Sequence, residues 1–519
     1  MTESAAQGQG LQQDGFGVIP AKKFGHIAGV AHDAGLAVQN KLWGCRGAGR
    51  GENNRAHVFS GMIKFSRGGG HQVGITHLIY VLQGSGQRRD VFAFVVDNKM
   101  FESGQVISGH VGEDVEEVWK LLLANVRTPR YNYGDLRALI AGTDIGERQL
   151  ANMIRKYGKD DFRQNVANLL DYSESRMRAE IQAIPDGKYS FSDEVEDDGI
   201  ENKSYTINVA VHISGDEAVV DYTGTSPQAK GPINATLGVS YSAAYNGMLH
   251  ITDESIPTNS GCFRPIRVVS PPGTLLNVDY PAPEVGGNTE THPRIAGTVM
   301  GALAPGIPAR AMAAEGGSHT NFVFGGQDHE FDEYFACYDI ELSGWGGRPY
   351  ADGNDATDSI NGNCRVIPVE VFETRYPWFT ENFGLVPDSG GAGTYRGGLA
   401  TTRTLRCDNP DMIISQLSDR HHHSAWGLNG GGHGGTGTTV FMASGGSDWQ
   451  TMTEAFNKPS TSKWSNITVH RGDRIRIRTA GGGGFGEMAK RDRAAIENDL
   501  DEGYVTPERA GKDYGYRAG

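Results

Sequence analysis

Cysteine is scarce and scattered in this chain. Cys45, Cys262, Cys337, Cys364 and Cys407 are odd in number, widely spaced and form no C-x-x-C pair, which argues against a disulfide framework and a structural zinc module. Long apolar runs are missing as well, since no stretch approaches the roughly 18 consecutive apolar residues that a membrane helix needs. The N-terminus lacks the charged-then-apolar pattern of a signal peptide, so a cytoplasmic protein without membrane contact is expected. A net charge of −14 disfavours nucleic acid and anionic membranes as partners, and no basic run is interleaved with aromatics as strand-stacking proteins require. Familiar catalytic motifs are also lacking. Gly187-Lys188 and Gly511-Lys512 are followed by Tyr189 and Asp513, so neither is a phosphate loop. The G-x-G-x-x-G between Gly430 and Gly437 lies where glycine is dense enough for chance to produce it, without a strand-to-helix context. No G-x-S-x-G elbow occurs, which disfavours a serine hydrolase.

What the chain has in excess is glycine, 73 of 519 residues, roughly twice the average usage of about 7%. Most of it falls between strand-like segments. A hydrophobic content of 38% suffices for a globular core, and the length predicts two or three domains or layered sub-domains. Residues 1–110 show no sustained period. Val115, Val118, Trp119, Leu122 and Leu123 then recur at helical spacing, with carboxylates at 113, 114, 116 and 117 where they suit the helix dipole. Helices are expected over 136–157 and 162–184, broken by Gly134 and Gly158. From Gly187 the period changes to two. Residues 205–213 and 218–222 alternate around the turn Ser214-Gly215-Asp216-Glu217, a hairpin signal. Helices are expected at 240–250 and 294–303, and short strands with Gly/Pro turns from about Tyr334 to Ala480. The fold class is thus α+β and multi-layered, with a helical segment in the first third and β-rich layers after it. The divisions fall at 1–110, 111–186, 187–333 and 334–519.

Several segments could carry chemistry. In Thr479-Ala480-Gly481-Gly482-Gly483-Gly484-Phe485-Gly486 four consecutive glycines are entropically expensive. They mark a turn or a close backbone approach, or else N–H groups left bare for a ligand. His421-His422-His423 invites a metal, but neighbouring histidines diverge on a strand, and a surface loop is expected. Cys337 and Cys364 have apolar, strand-like surroundings that suit buried, inert thiols. Gly286-Gly287-Asn288-Thr289-Glu290-Thr291-His292-Pro293-Arg294 is richer. Thr291 could cap the following helix with Pro293 in its first turn, but capping leaves Asn288, Glu290 and His292 unexplained. These three are candidate catalytic residues. Residues 259–266 and 370–377 read as strand ends with salt bridges.

Ordered matches along the chain resemble the hydantoinase B/oxoprolinase family, which includes subunits of acetone and acetophenone carboxylases. They comprise Leu123-Ala124-Asn125-Val126-Arg127-Thr128-Pro129, Gly134-Asp135-Leu136-Arg137-Ala138, Gly231-Pro232-Ile233-Asn234-Ala235, Arg264-Pro265-Ile266, the Asn288/Glu290 segment and Gly344-Trp345-Gly346-Gly347-Arg348-Pro349. They continue through the Gly-rich stretches 387–398 and 426–431, the tetraglycine run and Tyr504-Val505-Thr506-Pro507-Glu508. Within these motifs Arg127 and Asp135 join the candidate catalytic residues. The resemblance implies a subunit that works in a hetero-oligomer with a larger hydantoinase A-like chain, and this partner binds and uses the ATP. The pair would phosphorylate an amide or enolate oxygen, then open a lactam or hydantoin ring, or carboxylate a ketone. A non-catalytic assembly subunit is the remaining alternative.

The family's metal site, built from a Thr-His-x-x-Asp stretch and a later His-His-Ala-Asp stretch, is poorly matched. Thr76-His77 keeps the first histidine, but Tyr80 and Val81 follow, and Lys99-Met100-Phe101-Glu102-Ser103 replaces the second stretch. The metal has been lost, the first hundred residues are translated in a shifted frame, or Glu102, His110 and Asp114 form a changed site with His77. A divalent metal is expected to be absent or weakly held.

Overall fold

The computed structural model describes the chain from Glu116 to Arg517 apart from residues 330 and 331, together with short strands between Arg55 and Ala93. His77, Glu102, His110 and Asp114 lie outside the described residues.

Among the described residues, three helices follow the short strands, Glu116–Ala124, Pro129–Tyr157 and Lys159–Gln182. The second starts earlier than its apolar period suggests. Pro129 opens it, as suits a residue without an N–H, and Gly134 lies inside it instead of ending it. Nothing lies within 4 Å of a Cβ at Gly134, and the cost of about 1 kcal/mol for an exposed helical glycine is too small to stop 29 residues. Gly158 does break the run: its φ of 80° reverses the chain while its N–H closes on Ile154 O at 2.9 Å. Only the end of this segment enters the core, through Met177, Ile181 and Ile184.

Those side chains meet the first sheet. Gly187–Val195, Tyr205–Ser214 and Glu217–Asp221 are antiparallel neighbours, and Ile266–Val269 adds in parallel to the last. The hairpin forms as expected, with Ser214 opposite Glu217. Along Tyr205–Ser214 every second residue from Tyr205 to Ile213 is buried, the mark of a half-covered sheet. Helices Leu237–Leu249 and His292–Leu303 cover that face. They cross closely at Gly247, where a Cβ would stand 2.7 Å from Ala296 O.

Most of the remainder, ahead of the helices Arg493–Asp501 and Pro507–Tyr514, is a pair of antiparallel sheets. One orders Glu333–Ile340, Asn321–Asp328, Asp411–Leu417 and Lys463–His470, and the other Trp378–Leu385, Thr401–Cys407, Arg474–Arg478, Thr438–Met442 and Gln450–Thr451. Their inner faces share one core that includes Phe322, Phe324, Trp378, Leu405, Ile414, Ile467, Ile475 and Ile477. Of residues 370–377, expected as a strand end, 370–375 instead belong to the helix Val369–Arg375, and 376–377 lead into the strand Trp378–Leu385. Phe372 is wholly buried there under the Arg403 guanidinium. Residues 259–266 form a short 3-10 turn, Ser260–Phe263, before their strand, and Arg264 pairs with Asp171 and Glu174.

Between these layers the glycine-rich segments assemble into a bundle of bare backbone, with the tetraglycine run at its centre. The N–H groups of Gly481, Gly482, Gly483 and Gly484 donate to the carbonyls of Gly435, Gly398, Ala314 and Gly432 at 2.8–3.0 Å. The carbonyls of Gly482, Gly483 and Gly484 accept from Gly391, Gly347 and Leu428. Each successive residue thus bonds to a different segment, unlike a strand in a ladder. Only Gly486 at the end of the run has a positive φ, 77°. A Cβ on Gly481 to Gly484 would land on the carbonyl oxygens of Ser389, Trp345, Trp426 and Ala392 respectively. The glycines therefore serve backbone-to-backbone approach, and their N–H groups are not left for a ligand.

Gly482→Ala forces a methyl group into the Trp345 carbonyl and is expected to destabilise the chain by more than about 4 kcal/mol. Gly384→Ala, with nothing within 4 Å, serves as the control. Thermal melts of the two should show the first melting far below the wild type, or not accumulating, and the second nearly unchanged.

Candidate active site

Segments leaving the glycine bundle converge with the start of the helix His292–Leu303. The convergence begins at Asn234, whose side chain is fully buried. It accepts from Ala229 N and donates to the carbonyls of Ala229, Gly231 and Pro283. This hub fixes residues 231–235, against which the next segment packs: Gly286 N donates to Pro232 O at 2.6 Å. Gly287 passes so close to Asn234 O that no side chain fits. Gly287–Thr291 then makes a single π-helical turn that runs into the helix, a distortion common at functional sites. Pro293 lies in the first turn and Thr291 at the N-cap position, as expected, but the Thr291 side chain makes no capping hydrogen bond. Its hydroxyl donates to Ile233 O and pins the turn to the Asn234 segment.

The π turn carries the Glu290 side chain and the Asn288 amide oxygen into the interior, while Asn288 as a whole is half-buried. Glu290 is wholly buried, and Asn321 Nδ2 donates to its Oε1 at 2.9 Å. Its Oε2 makes no hydrogen bond of good geometry, nor does Asn288 Oδ1, although the Ser318 hydroxyl lies near enough to the carboxylate to favour its charged form. Burial, reinforced by the charge of Asp419 and opposed by Ser318, Lys463 and His319, pushes the Glu290 carboxyl up to about 7. Asn321 Oδ1 accepts the hydroxyl of Tyr338, which is more than half exposed, so the cluster reaches within one side chain of the surface. His292 is buried beside Asn246, with Nε2 at 3.4 Å from its Nδ2. Burial, then the charges of His319 and His250, push it down to about 3, so it is neutral at ordinary pH.

His319 arrives from Gly316-Gly317. Its Nδ1 is 2.9 Å from Asp358 and its Nε2 is 3.0 Å from Asn361 Oδ1, while Asn361 Nδ2 donates to Asn288 O at 2.6 Å. Glu315, in the same segment, accepts from Ser359 Oγ at 2.7 Å and is pushed to about 7 by burial. Thr320 and Arg420 both adopt positive φ, 45° and 65°. For non-glycine residues such geometry costs about 1–3 kcal/mol and gathers at functional sites.

Behind the cluster lies a buried ion network. Asp419 meets Arg294 at 3.1 Å and Lys463 at 3.3 Å, and Asp193 meets Arg420 at 2.9 Å. Removing one partner would strand its counter-charge, which in buried pairs costs about 3–5 kcal/mol. His421-His422-His423 forms a loop, as expected, with His422 exposed and His423 half-exposed, but His421 turns into this network. His421 is buried and pushed to about 3 by desolvation, then by the Lys463 charge. The backbone N–H groups of His422 and His423 donate to Glu196 Oε1.

Asn288, Glu290 and His292 therefore share one cluster, as their sequence proximity suggests. Arg127 and Asp135 are exposed on the helical segment and do not join it. Asn321, His319, Asp358, Asn361 and Asp419 escaped sequence reasoning. One available signal was that Gly316-Gly317 precedes Ser318-His319-Thr320-Asn321 just as Gly286-Gly287 precedes Asn288. Cys337 is a buried strand thiol pushed to about 11 by desolvation. Cys364, expected to be buried in a strand, is exposed in a loop whose N–H donates to Asp358. Among the described residues, no group of three or more His, Cys, Asp and Glu is placed to hold a metal ion, and no helix is long and apolar enough to cross a membrane.

Comparison with known proteins places this site in context. The profile of the hydantoinase B/oxoprolinase family matches residues 100–488. The B component of a putative D-/L-hydantoinase from Pseudomonas sp. (strain NS671) is 34% identical over 413 residues, 77% of this chain and 67% of that protein. The crystal structure of the ATP-dependent caprolactamase from Pseudomonas jessenii aligns with a TM-score of 0.71 and 26% identity, covering 86% of this chain and 72% of that one. A nucleotide-free acetone carboxylase aligns with a TM-score of 0.70 over 78% of this chain and 59% of that one, at 18% identity, a likeness of fold alone.

The raised carboxyl of Glu290 links stability to pH. A group whose folded pKa exceeds its unfolded value contributes stability below the unfolded value, here 4.5, that is lost as pH rises through about 7. Glu290→Gln removes this loss. Relative to wild type, the variant should gain on the order of 3 kcal/mol between pH 4 and pH 8, read from urea unfolding at the two pH values.

Proposed function

Because the chain belongs to the hydantoinase B/oxoprolinase family, we propose that it is the B-type subunit of an ATP-dependent enzyme that opens cyclic amides. In this reading a hydantoinase A-like partner transfers a phosphoryl group from ATP to the carbonyl oxygen of a lactam or hydantoin. A lactam carbonyl resists water because its amide is resonance-stabilised, and phosphorylation relieves that resistance. Water then adds to the carbon, and the C–N bond breaks as a proton reaches the departing nitrogen. The ring opens to an acyl phosphate, from which a second water releases phosphate.

The observation that carries this reading is Glu290. A carboxyl pushed to about 7 with one oxygen in no hydrogen bond of good geometry can both give and take a proton near neutral pH, as the departing nitrogen and the attacking water require. Asn288 Oδ1, the other such acceptor on the same turn, suits a ring N–H. Arg294 and Lys463 stand behind and keep the cluster from accumulating negative charge. His292, neutral, serves as an acceptor in this scheme and not as a cation. Arg127 and Asp135, on the exposed helical segment, suit contact with the partner chain better than the chemistry. A ketone carboxylase has the shared family resemblance in its favour, but its solved relative is 18% identical, against 34% for the hydantoinase component and 26% for the caprolactamase.

The test is to purify the chain with its A-like partner and follow ADP release with hydantoin, 5-oxoproline, ε-caprolactam and acetophenone. A cyclic amide should stimulate ATP turnover, and Glu290→Gln should lower that turnover by about 10²–10⁴-fold. Stimulation by the ketone alone would replace this reading with a carboxylase, and stimulation by none would leave an assembly subunit.

A further inference from the structure

We propose that His319 is held as an imidazolium and is the positioning residue for the turn that carries Asn288 and Glu290. Both of its ring nitrogens face oxygen atoms, Asp358 Oδ1 at Nδ1 and Asn361 Oδ1 at Nε2. The orientation of the Asn361 amide is fixed from its other side, because its Nδ2 donates to Asn288 O at 2.6 Å. Turning that amide over would set its oxygen against the Asn288 carbonyl, two acceptors in contact with no proton between them. Asp358 is ionised. Its two oxygens also accept the backbone N–H groups of Ser359 and Cys364, each at 2.8 Å. Burial would raise its pKa, but the bond and charge of His319 and these N–H groups hold it below the usual carboxylate value. Acceptors at both nitrogens require hydrogens on both, and an imidazole with two hydrogens is a cation.

The charged and titratable groups around the ring support that state. Asp358 faces it from its own loop, Glu290 from the π turn and Glu315 from the segment that precedes it, while His292 on the neighbouring helix stays neutral. Burial works against the cation, but Asp358, Glu290 and Asn361 together raise the His319 pKa above 6.5. The resulting order is a relay: Asp358 holds His319, His319 holds Asn361, and Asn361 holds the Asn288 carbonyl. The contribution is present below pH 6.5 and is lost as pH rises through the raised value. Beyond that point Nε2 turns a lone pair toward Asn361 Oδ1, and Asn361 loses its reason to stay on Asn288. The consequence for catalysis rests on the proposed role of Asn288 and Glu290, whereas the protonation state and the hold on the turn do not.

The test uses the full chain labelled with ¹⁵N in histidine, observed at pH 7.5, where an unperturbed histidine is mostly neutral. One histidine, missing from the spectrum of His319→Gln, should show both ring nitrogens protonated, and a neutral ring overturns the proposal. If His319→Gln does not accumulate, Asn361→Leu, which removes the acceptor at Nε2, should shift the same resonance. A second variant, Asn361→Asp, keeps an oxygen toward His319 but loses the donor to Asn288 O. It should retain the imidazolium signal and speed hydrogen exchange at the Glu290 and Thr291 amides at least tenfold. Unchanged exchange there would remove the positioning role. Failure of every cyclic amide to stimulate ATP turnover would defeat the proposed function and leave both of these readouts standing.

Discussion

The closeness of backbone to backbone in the glycine bundle is the constraint on which the rest of the structure depends. In a sheet each residue bonds to one or two fixed neighbours and keeps room for side chains above and below. Gly481 to Gly484 instead reach a new segment at every residue, and the carbonyls around them fill the space where side chains would stand. Such a core gains little from the hydrophobic effect. It rests on satisfied peptide hydrogen bonds in a dry setting, where an unmade bond is expensive. Losing glycine anywhere in the run breaks several segments at once.

That bundle sets the geometry of the chemistry. The segment after Ala314 leads into Glu315, Ser318 and His319, and the segment after Thr357 into Asp358, Ser359 and Asn361. The strand Asp411–Leu417 delivers Ser418 and Asp419 from the opposite side. The π turn meets them from the helical half, pinned by Thr291 and by the Asn234 hub. Ion pairs that join Asp193 of the first sheet to Arg420, and Arg294 to Asp419, tie the two halves together across the site. The cluster therefore lies at the seam between two cores. Its charges are costly to bury, and the left-handed Thr320 and Arg420 add backbone strain to a region the bundle holds rigid.

Much of this architecture was legible because it rests on period. The alternation of Tyr205–Ser214 and the helical spacing before residue 184 are local patterns, and they produced the hairpin and the long helices. Asn288, Glu290 and His292 could be singled out because they fall within one short stretch behind two glycines. The partners that give them their chemistry could not, since His319, Asp358, Asn361 and Asp419 come from distant segments that only the bundle brings together. His421 escaped for the same reason: within an otherwise solvated loop of histidines it alone is buried, beside Lys463 and Asp419. Gly134 and the 370–377 stretch show the limits of local signals, because a long helix outlasts one exposed glycine and a buried Phe372 draws its segment into a helix. Arg127 and Asp135 entered on motif likeness, which marks kinship without saying which face of the fold a residue occupies.

The central claim is that a cyclic amide is processed against the turn that the bundle holds in place. Its most direct test is a cryo-EM map of the chain assembled with its ATP-using partner, with a non-hydrolysable nucleotide and the cyclic amide that stimulates turnover. The account predicts density for the ring within hydrogen-bond distance of Glu290 Oε2 and Asn288 Oδ1, with the tetraglycine backbone unmoved behind them. A ring bound elsewhere, with both atoms still buried and unpartnered, would contradict it.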